Sequence, residues 1–450
     1  MSELKVITQH AGTVLVGQLA VMAFSVADTV IAGHYSNAAL AALSVGSAFY
    51  VSVYIGLIGI VQALLPIWAE MLGAGRHESI GASLRQSLYL CVIVTAVGMA
   101  ALLFPGQLLH WTQVPDGMLG EVNRYLAVLA FALAPSMLFR VYSSFNQALG
   151  KPLLVTWLQV GALAIKIPLS IWFVAGGAGV EPMGAAGCAW ATLVVNYLLC
   201  GLAFVILRTQ TLYRPFRLWQ RMERPDWRQI AHFARLGIPA GLAYMVEVTS
   251  FTLMALFIAR LGTAASASHQ IASSVAAVLY MMPLSMAIAC SARVSFWLGA
   301  GQPEQASRVV LLSIKLTTLI SLIFCAIVLV ANKQIAALYS GNPEVVAIGS
   351  SLLVWVAFYH LADASQALTA FLLRCYRITI APLALYGLLL WGLGLYGGYK
   401  MTYSGVAGHA ATHTVSSFWV ASTLAIGLVA LLLLLLLWHA VRKSCSVRLP

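Results

Sequence analysis

Charged residues are scarce in this chain. Only 8% of its 450 residues are Asp, Glu, Lys or Arg, and 61% are hydrophobic, whereas soluble domains average about 25% charged and about 45–50% apolar residues. So few charges could not cover the surface of a globular protein of this length, which would expose large apolar patches that aggregate. The composition therefore excludes a water-soluble fold and indicates a protein that lies in a lipid bilayer.

The sequence also lacks the spacings that mark disulfide, metal and catalytic sites. Its seven cysteines fall mostly inside apolar runs and form no CxxC pair, which predicts small packing residues. No HExxH, GxSxG, Walker or kinase pattern occurs. An intramembrane enzyme would need a paired nucleophile and base or metal-ligand spacing, so we predict neither an enzyme nor a bound cofactor. The polar N-terminus runs into the first apolar segment without a small-residue cleavage site, so we expect no cleaved signal peptide.

Long apolar segments dominate the rest of the sequence. Twelve of them have the length that a helix needs to cross about 30 Å of hydrocarbon. We place these spans at 11–33, 44–69, 86–109, 122–145, 154–176, 184–207, 233–261, 270–298, 309–331, 346–373, 379–400 and 414–438. We therefore predict an all-α integral membrane protein with twelve transmembrane helices. Its predicted parts are a six-helix lobe at 1–207, a cytoplasmic linker at 208–232 and a six-helix lobe with a short tail at 233–450.

The net charge of +12 is carried by loops. Most lysines and arginines fall on one side of the predicted spans, and six of the arginines lie in the break at 208–232. By the positive-inside rule, both termini and this break face the cytoplasm, which predicts a multi-pass membrane protein with cytoplasmic termini. Because the charges do not follow one polar face, we expect no nucleic-acid partner.

The two halves of the chain repeat each other. Leu-Gly-Ala-Gly follows span two at 72–75 and recurs after span eight at 298–301, and Ile-Ala ends span one at 31–32 and span seven at 258–259. Halves of six spans enter the membrane from the same side, so they are parallel repeats. We expect two six-helix bundles related by a pseudo-two-fold axis along the membrane normal, with a central cavity.

Three acids fall well inside spans: Asp28, Glu247 and Asp363. A charged carboxylate at mid-bilayer costs about 2.5–3.5 kcal/mol even on the most permissive scale. The repeat duplicates none of the three, so we favour a role in carrying a cation or a proton over that of a neutral, hydrogen-bonded acid. Oxygen atoms that could complete a sodium shell lie on the same spans, and the sequence does not choose between the two ions. These oxygen atoms belong to Thr249, Ser250, Tyr359 and Ser365.

Lys166 is a lone amine in the middle of span five. A lysine this far from both span ends needs a carboxylate partner. Aromatic residues are plentiful in the spans and could line a cavity for lipophilic cations through cation–π contacts, although packing and membrane-interface positions also account for them. The candidates are Phe24, Tyr50, Tyr54, Tyr244, Phe251, Phe358 and Tyr359.

Several motifs together resemble one known family. They are Val-Ala-Asp-Thr-Val-Ile-Ala-Gly at 26–33, Leu-Gly-Ala-Gly-Arg at 72–76, Glu-Val-Thr at 247–249, His-Gln at 269–270, and Asp363 with Tyr359. The chain resembles the multidrug and toxic compound extrusion (MATE) transporters, in particular their NorM-like bacterial branch. The resemblance implies twelve helices in two lobes and the export of small organic cations in exchange for sodium ions or protons, with no obligate protein partner.

The resemblance also assigns roles to single residues. It implies cation or proton coupling at Asp28, Glu247 and Asp363, with sodium as a possible ligand of the last two. Lys166 and Ser170 stand where the branch usually has asparagines. We expect Lys166 and Asp28 to form an ion pair, and we expect a supporting polar network of Lys166, Ser170, Thr249 and Tyr359.

A second function from the same wider superfamily stays open at this point. A flippase for lipid-linked precursors would move an anionic pyrophosphate headgroup and would need basic residues in its cavity. Only Lys166, Arg140 and Arg293 lie where they could serve.

Overall fold

The computed structural model describes residues 2–106, 116–177, 179–405 and 410–446. Within these ranges the chain is helical, and the only strand-like feature is an isolated bridge between Gly177 and Val180. Twelve helices of the described part are long and apolar enough to cross a membrane. The predicted all-α fold and the number of spans are thereby confirmed.

We number the spanning helices in chain order. They are α1 Glu3–Tyr35, α2 Asn37–Gly73, α3 His77–Leu103, α4 Asp116–Ala148, α5 Leu153–Ala175, α6 Ala185–Thr209, α7 Trp227–Ala259, α8 Thr263–Gly299, α9 Pro303–Tyr339, α10 Pro343–Cys375, α11 Ile380–Tyr403 and α12 Ser416–Ser446.

Most of these helices extend beyond the predicted spans. Hydropathy locates only the part of a helix that contacts hydrocarbon, whereas hydrogen bonding continues into the polar flanks. Helix α3 also begins ahead of its predicted span, at His77, but it ends at Leu103, and the predicted residues 107–109 lie outside the described part of the chain.

Local sequence explains two features that shape the second half. α10 begins after Asn342, whose side chain accepts a hydrogen bond from the Glu344 amide at 2.9 Å, and Pro343 occupies the first turn. Both residue types are favoured at a helix start. α11 is π-helical over Gly387–Tyr396, a stretch with three glycines. Such wide turns inside a helix are frequent at functional sites.

The chain divides into two compact units. The first unit is Thr13–Gly241, and the second comprises Met1–Gly12 and Leu242–Pro450. The division therefore falls inside α7 rather than in the polar break ahead of it. The start of α1 also belongs to the second unit, where the Glu3 carboxylate accepts hydrogen bonds from Arg293 at 3.0 and 2.5 Å.

The polar break at 208–232 is hydrogen-bonded to helices of its own unit. Arg85 on α3 donates to the Glu223 carboxylate, with Nε–Oε2 at 2.8 Å, and to the Arg217 carbonyl at 2.9 Å. Gln86, the next residue, donates to the Arg224 carbonyl at 3.0 Å. A two-turn 3₁₀ helix at Thr211–Phe216 adds a buried hydrogen bond from Tyr213 to Asn146 of α4 at 2.7 Å. The segment predicted as a cytoplasmic linker is thus attached to α3 and α4.

Candidate functional site

Two of the three predicted acids meet in the second unit. Glu247 on α7 and Asp363 on α10 are 9% and 4% exposed. Both accept a hydrogen bond from the same amide, since Gln366 Nε2 lies 3.1 Å from Glu247 Oε1 and 2.9 Å from Asp363 Oδ1. The two carboxylate oxygens are therefore within about 6 Å of each other, the range in which like charges interact strongly. We call Glu247, Asp363 and Gln366 the paired-carboxylate site.

A tyrosine on α11 orients the bridging amide. The Tyr386 hydroxyl donates a hydrogen bond to Gln366 Oε1, and Gln366 is fully buried. Because the amide oxygen is engaged by this donor, the NH₂ group is the end that faces the carboxylates. Gln366 and Tyr386 thus hold the acids close together without adding a positive charge.

Glu247 also lies on the wall of a cleft. The lining of the cleft is mostly aromatic and apolar. It is lined by Glu247, Ser250, Phe251, Met254, Tyr359, Leu390, Leu395 and Ser422. A carboxylate beside aromatic faces in an apolar cleft is suited to an organic cation, which gains both charge pairing and cation–π contact.

Two of the predicted aromatic residues form this wall. Phe251 and Tyr359 pack edge to face, with ring centroids 5.8 Å apart, and both contact Trp419 of α12. Two other candidates lie elsewhere. Tyr244 packs against Phe371 and the buried guanidinium of Arg374, and Phe358 is 46% exposed and contacts Trp355 of its own helix.

Thr249 is not brought to the acids. Its hydroxyl donates to the Met245 carbonyl of its own helix at 2.6 Å, and the next residue, Ser250, is the one that lines the cleft. The residues of α7 that line the cleft are at positions 247, 250, 251 and 254, and Thr249 is not among them. We predicted that Thr249 supports the coupling acids. In the described part of the chain its hydroxyl instead bonds to its own helix.

The third acid, Asp28, is paired with Lys166 in the first unit. Lys166 Nζ lies 2.9 Å from both Asp28 carboxylate oxygens, and the Ser170 hydroxyl donates to Asp28 Oδ1 at 3.0 Å. Lys166 is 1% exposed and Asp28 is 8% exposed. The predicted ion pair is confirmed, and Ser170 belongs to the same hydrogen-bonded group.

The remaining aromatic candidates also lie in the first unit. Tyr50 and Tyr54 stack on successive turns of α2, with centroids 5.3 Å apart, and the Ser136 hydroxyl donates to the Tyr54 oxygen at 3.0 Å. Phe24, one turn before Asp28 on α1, is half-buried.

Comparison with known proteins identifies the family of this chain. The MatE family model matches the chain twice, over residues 14–172 and 239–400. The chain belongs to the MatE family of membrane transporters. Two successive matches to one model agree with the internal repeat seen in the sequence.

Alignments with curated relatives extend over most of this MatE protein. It is 37% identical to the probable multidrug resistance protein NorM of Aromatoleum aromaticum, over 98% of this chain and 95% of the relative. It is 30% identical to the multidrug resistance protein PmpM of Pseudomonas aeruginosa, over 89% of this chain and 84% of that protein.

Solved structures share the fold of this MatE protein at low sequence identity. The eukaryotic MATE transporter AtDTX14 superposes with a TM-score of 0.86 at 20% identity, with 98% of each chain covered. The bent form of the Vibrio cholerae MATE transporter VcmN gives a TM-score of 0.83 at 18% identity, with 98% of this chain and 97% of that chain covered.

Sequence reasoning missed three residues of the two sites. Gln366 and Tyr386 complete the paired-carboxylate site, and Thr192 accepts a hydrogen bond from Lys166 at 2.8 Å. Gln366 did carry a signal, because it is an amide in an apolar helix one turn after Asp363. Tyr386 and Thr192 are ordinary membrane-helix residues that only tertiary contacts single out.

Proposed function

We propose that this protein is a secondary antiporter that exports amphipathic organic cations in exchange for sodium ions or protons. The observation that carries the proposal is the pair of buried carboxylates, Glu247 and Asp363, one of which faces an aromatic cleft. The printed names of the relatives, multidrug resistance proteins, agree with such substrates. The protein would act in the inner membrane with both termini in the cytoplasm.

The site supports a simple exchange mechanism. Two acids in a buried site must be neutralised, and either a coupling ion or a cationic substrate can do this. Because both ligands use the same negative charge, binding of one weakens binding of the other. Alternating access of the cleft to the two membrane sides would then convert an inward ion gradient into outward transport of the substrate.

A flippase for anionic headgroups has less support. It would need free basic residues in the cavity, but Lys166 is paired with Asp28 and Arg293 with Glu3. The remaining candidate, Arg140, is 8% exposed. The cleft of the second unit instead offers a carboxylate to its ligand.

The test is efflux of a fluorescent organic cation from everted membrane vesicles. Vesicles with the protein are given a sodium gradient or a proton gradient separately, and vesicles without it serve as the control. The proposal expects that at least one gradient drives transport and that its collapse stops transport. Transport of the dye that is unaffected by collapse of both gradients would overturn the proposal.

A further inference from the structure

The ammonium group of Lys166 lies in a cage of oxygen atoms. Five oxygens surround Nζ: the two of the Asp28 carboxylate at 2.9 Å each, Thr192 Oγ1 at 2.8 Å, the Cys188 carbonyl at 3.3 Å and Ser170 Oγ at 3.4 Å. Carboxylate, hydroxyl and carbonyl oxygens are the ligand types that proteins use for hard cations. The cage therefore has the composition of a monovalent-cation site, and a side chain of the protein supplies the cation.

The cage is closed and its charge is balanced. Lys166 is 1% exposed, Ser170 is fully buried and Asp28 is 8% exposed. An ammonium has three hydrogens to donate, and three oxygens lie within 2.9 Å to accept them. One carboxylate and one ammonium leave no net charge to attract a second cation.

The paired-carboxylate site differs in charge. It holds two acids, and its bridging group, Gln366, is a neutral amide. Glu247 and Asp363 belong to none of the ion pairs found among the described residues. The two acids of the second unit are thus open to a mobile cation or a proton, whereas the charge of the cage in the first unit is already balanced.

We propose that Lys166 is a tethered cation that permanently fills a monovalent-cation site around Asp28, so that the protein binds its coupling ion only in the second unit. The second half of this statement rests on the proposed function. The first half concerns the cage alone and is tested without transport.

Replacement of Lys166 by methionine empties the cage with little other change. The methionine side chain is about as long as that of lysine up to Cε, with sulfur in place of Cδ, and it lacks the ammonium group. If the cage is a cation site, the Lys166→Met protein should bind sodium there. If the pair only stabilises the fold, the same change should lower stability and create no ion site.

The experiment measures equilibrium binding of radioactive sodium to purified protein in detergent at mildly alkaline pH. All proteins carry Glu247→Gln and Asp363→Asn, which removes the acids of the second unit. In this background we expect no bound sodium when Lys166 is intact and one bound sodium per chain with Lys166→Met. Sodium chloride, but not choline chloride, should raise the melting temperature of the Lys166→Met protein.

Two further variants control the result. Adding Asp28→Asn to the Lys166→Met protein should abolish the gained sodium site. Lys315→Met, which removes an exposed lysine of α9, should gain none. Absence of sodium binding and of sodium stabilisation in the Lys166→Met protein would overturn the proposal.

If the Lys166→Met protein does not fold, the protein that carries only Glu247→Gln and Asp363→Asn still tests the proposal. Sodium binding in the background protein with Lys166 intact, lost on Asp28→Asn, would show an open site at Asp28 and overturn the proposal. Because every arm lacks Glu247 and Asp363, a failure of the antiport proposal would not change these results.

Discussion

Lys166 Nζ lies 2.9 Å from each carboxylate oxygen of Asp28, although the two residues are 138 positions apart in the chain. Each charge alone would be costly inside a membrane helix. Together they form a hydrogen-bonded pair that joins α5 to α1 in the first unit.

This pairing predicts strong non-additivity in stability. Asp28→Asn or Lys166→Met alone should each destabilise the protein, by about 3–5 kcal/mol as for other buried pairs broken on one side. The double variant should lose clearly less than the sum. The measurement is thermal unfolding of the four proteins in detergent, in sodium-free choline buffer so that no ion replaces the ammonium.

An exposed pair provides the matched control for this cycle. Arg217 and Glu78 lie 3.1 Å apart with side chains 58% and 66% exposed, and such surface pairs contribute about 0–1 kcal/mol. Arg217→Met and Glu78→Gln should therefore be nearly additive. If the losses of thermal stability in Asp28→Asn and Lys166→Met were additive, the two charges would not stabilise the fold as a pair.

Gln366→Leu should weaken sodium binding at the paired-carboxylate site. The bridging amide donates hydrogen bonds to two acids and so favours their charged form, and a hydrogen bond to a charged group contributes about 1.5–3 kcal/mol. Since 1.4 kcal/mol is a factor of ten in affinity, we expect the sodium concentration that half-saturates sodium-driven efflux to rise about tenfold or more. The measurement is sodium-dependent efflux in proteoliposomes.

Gln334→Leu is the control for this change, because Gln334 is an exposed residue of α9 in the same unit. Its ion dependence should match that of the unmodified protein. An unchanged ion dependence in Gln366→Leu would show that the bridge does not contribute to the ion site.

The aromatic residues Phe251 and Tyr359 of the cleft should contribute to binding of the organic substrate but not to binding of the coupling ion. A cation–π contact contributes about 0.5–2 kcal/mol, so Tyr359→Leu should weaken binding of an organic cation by about threefold to thirtyfold. Tyr359→Phe keeps the ring and should bind nearly as the unmodified protein does. Fluorescence titration of the dye with purified protein measures these affinities.

Phe358→Leu is the matched control, since Phe358 adjoins Tyr359 but is 46% exposed and packs on Trp355. It should leave dye affinity unchanged. Equal losses in Phe358→Leu and Tyr359→Leu would mean that the cleft is not where the dye binds.

Attachment of the segment at 208–232 should depend on pH. A hydrogen bond from the Arg85 guanidinium holds the pKa of the Glu223 carboxyl below its ordinary value. A lowered pKa in the folded state means that the pair stabilises the protein above the ordinary pKa, and that this stabilisation is lost as the pH falls through the folded-state pKa.

Glu223→Gln should therefore lower the melting temperature near neutral pH and have little effect in acid. We expect a loss of about 1 kcal/mol at neutral pH, since Arg85 is buried and loses a partner. Glu181→Gln, in an exposed loop of the first unit, is the control. A difference between Glu223→Gln and the unmodified protein that stays constant from neutral to acid pH would argue against the pair as its cause.

The sequence predicts those features of the molecule whose placement in water or in a membrane has a large effect on free energy. Apolar length predicts the twelve helices, and uncompensated charge singles out Asp28, Glu247, Asp363 and Lys166. The Lys166–Asp28 pair followed from one lone amine and one lone acid in the same half together with the family resemblance, which implies that spans one and five lie in the same lobe. The family resemblance, later shown by the MatE match, agreed with each of these assignments.

Contacts between neutral or loop residues were beyond the sequence. Gln366 carries no charge, so its burial costs less than that of an ionised acid and is a weaker signal, and Tyr386 meets it only through the tertiary fold. The composition of the arginine-rich break at 208–232 predicts a cytoplasmic linker but no contacts. Its attachment depends on Arg85 reaching Glu223 across 138 positions, which no local spacing reveals.

The most direct test of the proposed antiport is gradient-driven efflux by Glu247→Gln and by Asp363→Asn in proteoliposomes, with protein amounts matched. Both changes keep the shape of the side chain and remove its charge. The account predicts that each abolishes dye transport driven by the coupling ion, whereas Glu181→Gln transports normally. Transport at the unmodified rate by either site variant would contradict the account.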